Sequence, residues 1–365
     1  MKIKDISNVL EEFAPLAFQE SYDNSGLLVG NQEWEASAAL LCLDVTEEVL
    51  EEAISKSCNL IIAHHPLIFG GIKKLNGANY VERIVIKAIQ NNIAIYACHT
   101  NIDHVKGGVN QKICEKLGLK NLRILSPKND LYRKLVTFVP SNHLKAVKSA
   151  LFAAGAGHIG EYSNCSFSSE GKGTFKASEQ ADPYVGTPGM DHEEPEVKLE
   201  TIYPIYVEAR VLEALHLAHP YEEVAYDVFD LKNKFGAVGS GMVGELEEEV
   251  DAREFLEQIK KQLKADCIRY TVLPNKKVKK VAVCGGSGSF LLKEAIRSGA
   301  DVFVSSDFKY HQFFDAENKL VIADVGHYET EQFTSEIFYD IITKKFPTFA
   351  VRFSEINTNP INYLI

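Results

Sequence analysis

Glu52-Ala53-Ile54 leads through the apolar run Leu60-Ile61-Ile62-Ala63 to His64-His65, and much later Glu294-Ala295-Ile296 leads through Val302-Phe303-Val304-Ser305 to Ser306-Asp307. Aligned without gaps, His65 falls on Asp307. A second pair follows the same plan. Ile93 to Ala97 runs into His99-Thr-Asn-Ile-Asp103, and Leu320 to Val325 runs into His327-Tyr-Glu-Thr-Glu331, each a histidine with a carboxylate four residues on. Short apolar runs of this kind read as buried strands, and their alternation with helical segments implies a wound α/β sheet. In such sheets ligands gather at the carboxyl ends of the strands. The expectation is therefore α/β: two related α/β halves forming one metal-binding core, with His and carboxylate groups converging from the strand ends.

Working outward, residues 1–128 form the first half, with strands at Ala39 to Asp44, Leu60 to Ala63 and Ile93 to Ala97. Thr46 before Glu47-Glu48 supplies an N-cap and first-turn acids to the helix that follows, and Asp251 with Glu254 resembles a capping box. Residues 129–234 change character and approximate a ferredoxin-like β-α-β-β-α-β unit with one extra strand or hairpin arm, the hairpin turning at Gly171-Lys-Gly173. Motifs flank this block and the repeat ignores it, so it reads as an insertion. Asp182 to Glu196 reads as a loop and Gly239 to Asp251 as a solvated linker or turn. Residues 235–365 resume the second half, where Lys280 to Cys284 precedes Gly285-Gly286-Ser287-Gly288-Ser289 and a helix from Phe290. A small-residue loop entering a helix can cradle an anion through backbone N–H groups, or be merely a tight turn.

Pro66 ends the strand before it, because proline denies the ladder a donor. Neighbouring side chains of a regular strand face opposite ways, so His64 and His65 could hardly grip one ion together but could serve two neighbouring ions. Imidazoles with carboxylates suit zinc, iron, manganese or cobalt. The set is His64, His65, Asp103, His327 and Glu331, the last two sharing a helical face. His219, Glu222 and Glu223 also invite a metal, but Pro220 and the strand after them favour a turn with a solvated acidic face.

His64-His65-Pro66-Leu67, His99 to Asp103 with Gly107-Gly108-Val109-Asn110, Gly285 to Gly288, and Asp324-Val325-Gly326-His327 with Glu331 resemble the signature blocks of the GTP cyclohydrolase 1 type 2 homologue family, the NIF-three-like dinuclear metal proteins. Tyr22 to Leu27 is similar to its N-terminal block, with Tyr22 where the family commonly has tryptophan. The resemblance implies that His64, His65, Asp103, His327 and Glu331 bind two divalent metal ions, with Glu331 the bridge. The internal repeat pairs His99 with His327, whereas the family pattern leaves His99 outside the ligand set, so orientation of Asp103 or proton transfer is its expected role. The inserted block resembles the PII-like or CutA-like domain of longer members, through Gly155 to Gly160 and His219 to Glu223. A toroidal homohexamer is implied as well. So is a reaction in which water adds at C8 of GTP, the imidazole ring opens and formate leaves, with His99 and His311 as catalytic candidates for proton transfer and the Gly285, Gly286, Ser287, Gly288 loop receiving phosphate. The rival is a non-catalytic regulatory or metal-handling protein whose inserted domain senses a small molecule.

The chain has 365 residues, 45% hydrophobic and 24% charged, ample for more than one buried core. Its formal net charge of -11 argues against a nucleic-acid partner, since gripping phosphate backbones needs clustered lysine and arginine. Lys276-Lys277-Val-Lys279-Lys280, the one basic cluster, reads as a solvated turn. The seven cysteines form an odd set with no C-x-x-C pair, consistent with reduced thiols. The start lacks an apolar signal core and no run approaches membrane-spanning length, so a cytoplasmic location and no membrane partner are expected.

Overall fold

The computed structural model describes residues 1–233, 235–274 and 277–364. Lys234, the end of the expected insertion, and Lys276 of the basic cluster lie outside the described residues. Every residue of Leu60–Ala63 and Ala94–Ala97 is buried, as unbroken apolar runs demand of strands covered on both faces. In chain order the strands are β1 (Gly26–Val29), β2 (Ala38–Cys42), β3 (Leu60–Ala63), β4 (Ala94–Ala97), β5 (Lys120–Lys128), β6 (Tyr132–Pro140), β7 (Ser166–Lys176) and β8 (Asp191–Pro204). Then come β9 (Tyr226–Leu231), β10 (Phe235–Val250), β11 (Arg269–Tyr270), β12 (Val278–Ser287), β13 (Val302–Ser306), β14 (Val321–Asp324) and β15 (Ala350–Phe353).

The chain forms two compact units, Met1–Pro127 with Gly236–Ile365, and Lys128–Phe235. The first unit holds two sheets, ordered β1-β4-β3-β2-β15 and β11-β14-β13-β12-β10-β5. In the first sheet β2, β3 and β4 run parallel with β1 antiparallel at the edge. In the second, β12, β13 and β14 run parallel with β11 antiparallel at the edge. Four strands of each sheet thus share one order and one set of directions. The crossover helices start where capping chemistry allows: the Thr46 side chain accepts from Val49 N and the Asn79 side chain from Glu82 N. Val49, Ala53, Ile84 and Ala88 pack on Leu40, Ile61 and Ile95, while Leu292 and Ala295 pack with Phe303 and Ile322. Each large aliphatic or aromatic side chain so buried contributes roughly 1.5–3 kcal/mol.

The second unit is a four-stranded sheet ordered β7-β8-β6-β9 with every neighbouring pair antiparallel. Helices Leu144–Ala153 and Glu208–Ala218 connect β6 to β7 and β8 to β9, and their Val147, Leu151, Val211 and Leu215 pack with Leu135, Val139 and Leu199.

Three expectations need correction. Gly171 to Gly173 is not a turn but the middle of β7, paired with Glu196, Pro195 and Glu194 of β8. A Cβ at Gly173 would collide with the Glu196 carboxylate, so the glycine marks a side chain crossing the strand. The expected loop at Asp182 to Glu196 accordingly gives way to strand from Asp191. The stretch Gly239 to Asp251 is largely β10, with Met242, Val243 and Leu246 buried and the following acids facing water. Its glycines are there for close packing: Cβ atoms at Gly239 and Gly244 would strike Ser126 O and the Leu122 side chain.

Candidate metal centre

Both sheets end their parallel strands at one place. Past β3 the chain is still held in sheet fashion, His65 N donating to Leu43 O at 2.9 Å, and Pro66 then turns it away. His64 is fully buried, its Nδ1–H donating to Cys98 O at 3.0 Å. That bond fixes the tautomer and leaves the Nε2 lone pair aimed at the cluster. Past β4, His99 caps the single turn Thr100–Asp103, which carries Asp103 inward. Past β14, the turn His327–Glu331 puts His327 Nε2 3.0 Å from Glu331 Oε2, the i, i+4 contact the sequence spacing calls for.

Glu331 is the hub. Its Oε2 lies 2.9 Å from His65 Nε2 and 3.0 Å from His327 Nε2, while its Oε1 lies 3.7 Å from His64 Nε2. Asp103 Oδ1 stands 3.7 Å from the same His64 Nε2. Each imidazole is steadied from behind: His65 Nδ1 on Asp44 Oδ1 at 2.7 Å, His327 Nδ1 on Asp307 Oδ2 at 2.7 Å, and His99 Nδ1 on Asp23 Oδ1 at 2.8 Å. Carboxylates behind histidines in this way set the tautomer and ring plane of a metal ligand.

The donors fit metal ions. His64 Nε2 and Asp103 Oδ1 are buried with no hydrogen-bond partner among the described residues, and a buried lone pair facing carboxylate oxygens calls for a positive charge between them. Ligands about 2.1 Å from an ion sit roughly 3 to 4 Å from one another, the spacing found here. Three overlapping groups of possible ligand atoms lie within 4.8 Å: His64, His65 and His99; His65, His327 and Glu331; His64, Asp103 and Glu331.

Electrostatics agree. Burial, and then the charge of Glu331, raise Asp103 well above the usual carboxylate range. Burial would raise Glu331 too, but His64, His327 and His65 hold it well below its ordinary value. Burial lowers His64 to about 4 against the pull of Glu331. Burial also opposes protonation of His65 and His327, yet hydrogen bonds to Asp44 and Glu331 lift the first to about 9, and bonds to Asp307 and Glu331 lift the second to about 11. Without an ion, protons on these two rings balance the central carboxylate. Cys284 lines the site, but burial, Asp103 and Glu331 push its thiol up, so it stays protonated and offers no thiolate.

The cluster opens into a cavity of about 1230 Å³ whose lining includes Phe69, Lys73, Lys74, His99 and Ser287. The glycine run lies at the end of β12. Gly285 N donates to Asn110 Oδ1 and Gly286 N to Thr330 Oγ1, so those two N–H groups are already engaged within the protein. Gly286, with φ +59°, is where a Cβ would run into Glu331 Oε1. Close approach to the hub accounts for this glycine. His311 is not brought to the cluster: it sits exposed on the 3-10 turn Tyr310–Ala316, its ring against Tyr310 and Phe314. His219 belongs to the second compact unit, where its Nε2 lies 2.9 Å from Phe138 O. Sequence reasoning missed Asp44 and Asp23 as backing groups, although Asp44 closes an apolar strand as His64 does.

Sheets paired this way around a histidine–carboxylate cluster define an α/β protein able to hold metal. The chain belongs to the Duf34/NIF3 (NGG1p interacting factor 3) family, whose model matches residues 1–360. It is 39% identical over 371 residues to a GTP cyclohydrolase 1 type 2 homolog of Bacillus subtilis, covering 99% of this chain and 98% of that one. A protein of the same name from Halalkalibacterium halodurans is 39% identical over 374 residues, with 100% of both chains covered. Among solved structures, a Bacillus cereus protein related to NIF3 superposes with a TM-score of 0.84 at 39% identity, over 100% of this chain and 99% of that one. A Staphylococcus aureus protein gives 0.78 at 32% identity, over 100% and 99%. Among the described residues no helix is long and apolar enough to cross a membrane.

Proposed function

We propose that the protein is a metal-dependent hydrolase of a nucleotide, working with two divalent ions of zinc, iron or manganese. The convergence of His64 Nε2, Asp103 Oδ1 and Glu331 Oε1 in a buried space without a donor carries the metal reading. A pair of ions is supported by the division of Glu331, one oxygen turned to His64 and the other to His65 and His327. Glu331 is then the bridge, with His64 and Asp103 on one side and His65 and His327 on the other. Ions held there would acidify a water and polarise the bond it attacks. Asp44, Asp307 and Cys98 O keep the three rings presenting Nε2. His99, backed by Asp23 and with a ring nitrogen within 4.8 Å of those of His64 and His65, is the proton carrier of this proposal.

Three protein donors per group is the number catalytic zinc sites carry, whereas structural sites close with four, and the adjoining cavity has room for a nucleotide. Lys73 and Lys74 on its lining can meet phosphate, as can Ser287 of the glycine run. The names of the relatives make GTP, with formate release, the first substrate to test. The strand order and two crossing helices of Lys128–Phe235 support a ferredoxin-like, PII/CutA-like insertion, and homohexamer assembly remains the expectation to check by light scattering. The deciding experiment is anaerobic purification with elemental analysis, then GTP turnover followed by formate. Two ions per chain and formate release are expected. If the metal-replete protein neither releases formate nor binds GTP at millimolar nucleotide, the nucleotide assignment falls and the metal-handling or regulatory reading replaces it.

A further inference from the structure

Beyond β15 the described residues have no regular secondary structure, yet they do not run free over the surface. Ser354 N donates to Leu41 O at 2.8 Å and Glu355 N to Glu52 Oε1 at 2.9 Å, which steers the segment along the first sheet toward the strand ends. There, in a stretch otherwise exposed from Glu355 to Leu364, only Thr358 and Asn359 are half-buried. Thr358 Oγ1 donates to Asp44 Oδ2 at 2.7 Å, and the other oxygen of Asp44 holds His65 Nδ1. Asn359 Nδ2 donates to Glu329 Oε1 at 3.0 Å. Glu329 is buried in the single turn that carries His327 and Glu331. Two adjacent residues of one strap therefore grip the two halves of the core, one through the carboxylate behind His65, the other through the turn presenting His327 and the hub. Asn359 Oδ1 accepts from Ile361 N at 3.1 Å, and Asn357 Oδ1 accepts from Asn359 N at 3.0 Å, which sets the strap's shape at this point. The strap also roofs a second cavity of about 560 Å³, lined by Asn359, Pro360, Ile361 and Tyr363 on one side and by His65 and His327 on the other.

We propose that Thr358 and Asn359 are positioning residues that clasp the two halves of the metal centre, so that ordering of the C-terminal strap and binding of metal reinforce each other. This rests on the metal reading above. An aspartate held on both oxygens cannot swing, and a histidine ligand whose backing group is fixed loses little freedom on binding an ion. Linkage makes the effect reciprocal: if the ordered strap raises metal affinity, metal must stabilise the ordered strap by the same factor.

The test measures Zn(II) affinity by chelator competition in the full-length protein and in Thr358→Val, Thr358→Ser and Asn359→Ala, together with amide hydrogen exchange of residues 354–364 with and without zinc. Removing a partner that orients a ligand weakens metal binding on the order of 10- to 100-fold. Thr358→Val and Asn359→Ala are each expected near the lower end, about 10-fold, and Thr358→Ser close to wild type. Zinc should slow exchange in the strap of the wild type, and the metal-free variants should melt close to the metal-free wild type. Wild-type zinc affinity in both Thr358→Val and Asn359→Ala, or strap exchange indifferent to zinc, overturns the clasp while leaving the metal centre standing. A wild type that takes up no zinc, iron or manganese overturns the metal reading and the clasp with it.

Discussion

The two halves of the core share a scaffold and divide the chemistry. At the end of the central strand of the first sheet, β3, stand two histidines whose rings reach the cluster directly. At the end of β13, the corresponding strand, stands Asp307, with φ +61°, whose carboxylate stops one layer back and holds His327 Nδ1. After the neighbouring strands the symmetry returns, as His99 and His327 each begin a single helical turn that ends in a carboxylate. The hub Glu331 comes from the second half alone, and most of the imidazoles around it come from the first. A repeated frame places polar groups at equivalent strand ends, and here those equivalent positions carry unlike side chains: His65 reaches the cluster while Asp307 backs His327.

Removing the hub should break the division most severely. Glu331→Gln takes away the group both halves address, and metal content is expected to fall from two ions per chain to near none by elemental analysis. A variant that keeps both ions tightly would end the bridging assignment. Asp44→Asn and Asp307→Asn then compare the two halves at the level of support. Each should weaken zinc binding by roughly 10- to 100-fold in chelator competition. Asp44→Asn should cost more, because His65 is the less exposed ring, at 18% against 41% for His327. Equal losses would show that burial does not set the value of the backing carboxylate.

Protonation sharpens the comparison further. In the metal-free protein His65 at about 9 and His327 at about 11 lie above the ordinary 6.5. Such groups stabilise the fold fully below pH 6.5 and lose that contribution as pH rises through their folded values. His64, lowered to about 4, acts oppositely and costs stability below 6.5. The melting temperature of chelator-treated protein should therefore drop between pH 8 and 10, and His327→Gln should flatten part of that slope. Zinc affinity should rise with pH over the same range, since metal competes with protons for the rings. The smallest effect is expected at His311, which sits on the second half but outside the cluster: His311→Ala should leave zinc affinity unchanged and shift stability by no more than about 0.5 kcal/mol. Loss of turnover in that variant would restore a catalytic role through an assembly contact.

Much of the frame was legible from local pattern. Leu60 to Ala63 and Ile93 to Ala97 are apolar without alternation, which only a doubly covered strand tolerates, and Thr46 and Asp251 announce their helices by side chains that do accept from Val49 N and from Arg253 and Glu254 N. Where the reading failed, glycine was the cause. Gly173, Gly239 and Gly244 look like turn residues, but in β7 and β10 they admit a crossing carboxylate or a neighbouring chain, and a residue without a side chain does not say which use it serves.

The sequence by itself determined that histidines and carboxylates stand at strand ends in a repeated α/β frame, because strand periodicity and helix spacing are local properties written in neighbouring residues. Only the tertiary structure decided that Glu331 turns its two oxygens to different partners, that Asp44, Asp23 and Asp307 back the rings, that His311 stays outside, and that Thr358 and Asn359 hold the two halves. His65 and Glu331 are 266 residues apart and Thr358 and Asp44 are 314 apart. Contacts at that separation depend on how the two sheets pack, and no period in the chain encodes the packing.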